Sequence, residues 1–130
     1  MISSATFRRI VIHELDKLNE RGLDPIWYHV DGPKAFRHVP ALLELPYMRV
    51  LQFVPGAGAP DNGPAWMDDY RRVQAAGRGL DLDCSWENLE YLVRHLRPQG
   101  VVLRSFAPSI EVGQEFLDKA AGWAGSHANS

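Results

Sequence analysis

The residues best placed to do chemistry stand at alternating positions. In Trp27-Tyr28-His29-Val30-Asp31, His29 and Asp31 are two apart, so in an extended segment both side chains point to one face. A histidine beside a carboxylate is a tuned acid–base group or half of a metal site. No third ligand accompanies the pair, so no metal is expected. The bland alternative is a hydrogen-bonded pair that orients the loop after it. Asp81 and Asp83 repeat the spacing. Paired carboxylates share a proton or a cation, or they are simply solvated. Gln52, Arg104 and Ser105 lie near the ends of further apolar runs and complete the candidate set. Arg104 would anchor an acidic ligand, and adjacent residues on a strand face opposite ways, so only one of Arg104 and Ser105 joins the pairs.

Other chemical signals are weaker. Gly56-Ala57-Gly58 follows an apolar run as a phosphate loop does, but Asp61 stands where the dinucleotide pattern needs a third glycine. Cys84 has no Cys-x-x-Cys partner and reads as a small buried hydrophobe. His13, His38 and His95 fall in helical patterns and His127 in the tail, with surface or capping roles expected.

Elements that position these residues follow from periodicity. An N-terminal helix carries Phe7, Ile10, Val11, Leu15 and Leu18 on one stripe and stops at Gly22. Strands are expected over Ile26–Asp31, Met48–Val54, Gly79–Cys84 and Val101–Phe106. Helices follow each of them: one with Phe36, Val39, Leu42 and Leu43, broken at Pro40; one opened by Pro64 with Trp66, Met67, Tyr70 and Val73; one capped by Ser85; and one capped by Ser109 with Val112, Phe116, Leu117, Ala120 and Trp123. Strands alternating with helices imply a parallel sheet with right-handed crossovers.

The chain has 130 residues, 45% hydrophobic and 23% charged, which suits one folded domain over 1–124 with a short flexible tail over 125–130. With 14 basic and 16 acidic side chains the net charge is −2, which lacks the basic footprint of a nucleic-acid binder. A single cysteine fits a reducing cytoplasm. No apolar run approaches the roughly 18 residues of a membrane span, so no membrane partner is expected.

Two architectures compete. A sheet covered on both faces should be apolar throughout. Here Leu80-Asp81-Leu82-Asp83 alternates, and His29 and Asp31 oppose Tyr28 and Val30. One face is polar, as in strands that line a barrel mouth. A (β/α)₈ barrel takes about 250 residues, so the fold class expected is α/β: a half (β/α)₈ barrel of four parallel strands, each followed by a helix, with an extra N-terminal helix. Its lumen face would carry Trp27, Val50, Val54 and Leu103 beside the polar pairs.

Several motifs resemble one family in order. Ser3-Ser4-Ala5-Thr6-Phe7, Trp27 to Pro33, Leu42-Leu43-Glu44-Leu45-Pro46, Gln52 to Gly58, Tyr70 to Leu80 and Pro108-Ser109 look like the C-terminal half of uroporphyrinogen-decarboxylase-like proteins, a superfamily that includes cobalamin-dependent methyltransferases. The resemblance spans residues 3–122 and implies barrel strands five to eight. The family's N-terminal Arg-x-x-Gly-Arg segment has no counterpart here. Its methyltransferase branch binds zinc through a His-x-Cys pair and a distant Cys; His29 matches, whereas Asp31 and Ala107 stand at the thiol positions.

The expected function is therefore small-ligand binding, of an acidic or tetrapyrrole/corrinoid-type molecule, over the C-terminal strand ends. His29 and Asp31 would be the catalytic pair, and Gln52, Asp83, Arg104 and Ser105 would contact the substrate. No cofactor is expected. The alternative is a non-catalytic module that associates with itself, because two open sheet edges and a partly apolar face invite a homodimer.

Overall fold

The computed structural model describes residues 2–125. Ser3 caps the first helix by accepting the Thr6 N–H on Oγ at 3.1 Å. Helix α1 (Ser4–Phe7) passes through a π-helical stretch (Arg8–Ile12) into α2 (His13–Glu20). The wider turn rotates the apolar stripe, so Phe7 and Leu15 are buried while Ile10 and Leu18 are exposed. Strand β1 (Ile26–Asp31) leads through a turn and a short 3₁₀ segment into α3 (Val39–Leu43), with Pro40 in its first turn. The helical stretch expected here is thus split as foreseen, with Pro40 in the opening turn of its second part.

Strand β2 (Met48–Val54) is followed by a loop and α4 (Met67–Ala75), then β3 (Gly79–Asp83), α5 (Trp86–His95), β4 (Val101–Arg104) and α6 (Ile110–Gly125). Ser109 caps α6 as expected, accepting the Val112 N–H at 3.3 Å. The helix includes Gly125, and the expected flexible tail otherwise lies outside the described residues. Strands β3 and β4 end one and two residues short of the expected Cys84 and Phe106, although the Cys84 N–H still bonds the Arg104 carbonyl at 2.9 Å.

The sheet is four-stranded and parallel throughout, in the order β1-β2-β3-β4. Every strand is followed by a helix, and a helix precedes the first, which is the half barrel expected. The register aligns Val30, Phe53, Leu82 and Leu103 across one face, and Tyr28, Leu51, Leu80 and Val101 with them. That face packs on the helices. Phe53 and Tyr70 meet edge to face at 5.5 Å, and Phe36 meets Phe53 at 4.7 Å. Tyr70, Phe53, Leu51, Leu80, Leu82 and Leu92 have essentially no exposure, each contributing about 1.5–3 kcal/mol by burial.

The opposite face has no covering layer among the described residues. It carries Trp27, His29 and Asp31 on β1, Val50, Gln52 and Val54 on β2, Asp81 and Asp83 on β3, and Val102 and Arg104 on β4. Leu103 was expected there and instead packs on the helix side beside Leu92, Leu96 and Ala120. Val102 takes the lumen position, because strand parity fixes Leu103 to the face of Leu82. Leu117, expected on the buried stripe of α6, is exposed. No helix among the described residues is long and apolar enough to cross a membrane.

Candidate functional site

The polar half of the open face gathers at the C-terminal ends of the strands, where barrel sites are built. His29 and Gln52 are register partners on β1 and β2, and His29 Nδ1 lies 2.7 Å from Gln52 Oε1. An amide oxygen can only accept, so in this contact Nδ1 carries the proton and donates, which leaves Nε2 outside the bond. His29 is therefore held by Gln52, not by Asp31. The expected brace between His29 and Asp31 is absent, because side chains at i and i+2 project in parallel while register partners are closer.

Asp81 and Asp83 behave differently from solvated carboxylates. The Asp81 side chain is only 4% exposed, whereas that of Asp83 is 65% exposed. Arg104, on the adjacent strand, engages both. Its Nε donates to Asp83 Oδ1 at 2.6 Å, and its Nη2 lies 2.7 Å from Asp81 Oδ1. The second contact is an ion pair whose N–H points off the line. Asp81 Oδ1, buried, thus receives no aligned hydrogen bond. The Asp83 carboxylate, followed by that of Asp81, raises the Arg104 guanidinium above its ordinary value, so it stays charged.

Of the adjacent pair, Arg104 faces the open side and Ser105 turns inward. The Ser105 hydroxyl is buried beside the Cys84 thiol, although the residue still lines a concavity with Asp83 and Arg104. Burial pushes the Cys84 thiol up to about 11, with the Asp61 carboxylate adding to it, so the group is an inert thiol near neutral pH. His38, expected at the surface or a cap, is buried and stacks on Phe7 with ring centroids 4.1 Å apart.

A residue with no signal in the sequence organises this end of the sheet. Asn62 is 1% exposed and donates to the Phe53 carbonyl at 2.9 Å and the Asp83 carbonyl at 2.8 Å. It ties the ends of β2 and β3 together. Next to it, Asp61 Oδ2 accepts the Ser85 N–H at 2.6 Å and so anchors the start of α5. In sequence, Asp61-Asn62-Gly63 reads only as a turn.

Two concavities flank Asp83. One, of about 670 Å³, is lined by Asp83, Cys84, Leu103, Arg104, Ser105 and Phe106. The other, of about 380 Å³, is formed under the Gly56-Ala57-Gly58 loop and reaches Asn62 and Asp83. Among the described residues no group of three or more His, Cys, Asp or Glu is arranged to hold a metal ion. What the open face offers is carboxylate acceptors, one imidazole and one shared guanidinium, with both concavities meeting it at Asp83. No family model, curated protein or solved structure matches the chain.

Proposed function

We propose that this half barrel binds a small tetrapyrrole- or corrinoid-type ligand at the C-terminal strand ends, in keeping with its resemblance to uroporphyrinogen-decarboxylase-like proteins. The observation that carries the reading is the juxtaposition of the Asp81–Arg104–Asp83 cluster and the His29–Gln52 pair on one uncovered face. Arg104 is already shared by two aspartates, so a purely acidic ligand must compete for it. Ring N–H groups meet a different welcome. They donate directly to carboxylates, and Asp83, whose side chain is 65% exposed, presents one to the open face. A molecule with pyrrole N–H groups at its centre and carboxylates at its rim uses both features. Decarboxylation and methyl transfer are not part of the proposal, since Asp31 and Ala107 occupy the thiol positions and the Arg-x-x-Gly-Arg segment is missing.

The test is a titration with uroporphyrin, read through tryptophan fluorescence, because Trp27 is 55% exposed on the same face. Saturable quenching that Asp83→Asn weakens at least tenfold supports the reading. Quenching that never saturates, or that the substitution leaves unchanged, overturns it.

A second reading, a self-associating module, has its own observation. Both sheet edges end in unpaired strands, and each is flanked by exposed apolar side chains: Leu23 and Trp27 beside β1, Val102, Phe106 and Ile110 beside β4. Light scattering on a sizing column separates the outcomes. A mass twice 14.6 kDa supports pairing of two copies, and a mass of 14.6 kDa at micromolar concentration rejects it.

A further inference from the structure

We infer that the other end of the sheet, where β3 and β4 begin, holds an oxyanion-binding site built around Arg78 and Arg97. A concavity of about 370 Å³ opens there, lined by Gln74, Arg78, Gly79, Arg97, Gln99 and Gly100. Two arginines contribute to the lining and no carboxylate does, among the described residues. Ordinarily a folded protein neutralises such a pair from within. Here Arg78 makes one long contact, from Nη2 to the Leu45 carbonyl at 3.4 Å, and its buried Nε meets no acceptor. Arg97 is exposed, and its side chain forms no ion pair among the described residues.

The backbone that presents them is rigid. Helix α4 ends in a paired C-terminal motif: the Gly77 N–H bonds the Gln74 carbonyl at 3.0 Å and the Arg78 N–H bonds the Val73 carbonyl at 3.1 Å, with Gly77 at φ 72°. Gln74 then grips the Arg97 backbone from both sides, donating from Nε2 to its carbonyl at 2.7 Å and accepting its N–H at 3.2 Å. One glutamine therefore fixes the spacing between the segments that carry the two guanidinium groups. Gly79 keeps the floor low, since a Cβ there would stand 2.7 Å from the Gly100 carbonyl oxygen. Planar guanidinium groups on a fixed frame suit a phosphate or carboxylate, which accepts paired N–H donors.

The experiment is calorimetric titration at low ionic strength, with inorganic phosphate in one arm and succinate in the other. One anion per chain should bind, with amide shifts at Gly77, Gly79 and Gly100 in a heteronuclear spectrum. Arg78→Gln and Arg97→Gln should each weaken it about tenfold or more, and Arg9→Gln should leave it unchanged. Preference for phosphate identifies a phosphoryl ligand, and preference for succinate a carboxylate. Binding of neither anion overturns the inference. So does an unchanged affinity in Arg97→Gln, whose exposed side chain leaves the fold intact even if Arg78→Gln does not fold.

Discussion

Tyr70 donates its hydroxyl proton to Asn62 Oδ1 at 2.5 Å, inside the core and beneath the ends of β2 and β3. The bond orients the Asn62 amide so that both of its hydrogens face strand carbonyls. Asn62→Ala removes three bonds at once and leaves buried partners unmet. A loss of about 2–4 kcal/mol is expected, seen as a fall of on the order of 10 °C in melting temperature. Asp61→Ala, which removes one capping contact, should lose no more than about 1 kcal/mol. Thermal melts by circular dichroism compare the two, and equal losses would reject the central role given to Asn62.

His29 and Gln52 sit on the open face, and His29 is exposed. Replacing His29 with Ala should shift the melting temperature little while abolishing porphyrin quenching. A large stability loss with unchanged binding would instead make the pair a structural brace.

His38 makes stability depend on pH. Burial, followed by the nearby Arg37 charge, holds its imidazole below the ordinary value of 6.5. The unfolded chain then binds a proton more readily than the folded one. Stability is full above pH 6.5 and is lost as pH falls from there toward the folded value. The groups that pack around His38 include Phe7, which cannot titrate. In His38→Phe the ring still stacks, and Nδ1, which has no partner, is not missed. Urea denaturation at pH 7.5 and 5.5 should show a smaller loss on acidification in the variant than in the parent. An identical loss would place the proton elsewhere.

Cys84 should resist alkylation. With its thiol buried and pushed up to about 11, little thiolate exists at pH 8. Iodoacetamide should leave the folded chain unmodified and label it once in denaturant, as followed by mass spectrometry. Rapid labelling of the folded chain would contradict the inert role.

The architecture was legible because each βα unit has its own punctuation. Strands β1 and β2 match the expected bounds to the residue, and the alternation of Leu80-Asp81-Leu82-Asp83 correctly announced one uncovered face. Leu103 went astray because the expected strand ran to Phe106, and the position of the last strand in the register cannot be counted from its own sequence. The site was legible by type and not by pairing. His29, Gln52, Asp81, Asp83 and Arg104 do share the face, yet the bonds run between strands, where local spacing is silent. Asn62 escaped notice for the same reason, as its partners lie 9 and 21 residues away.

The strand order β1-β2-β3-β4 gives the sheet an additive character. Among the described residues each strand bonds only to strands adjacent in the chain, so no strand pairing ties the first to the last. Opening of β4 with α6 leaves the pairing of β1 and β2 untouched, as in a linear array of repeats. Amide protection should therefore be greatest in β2 and β3 and decline toward both margins. A sheet of this kind grows or shrinks by whole units. Its number of strands is a matter of how many units are laid side by side, and its margins are places where a further unit can be added without disturbing those already there.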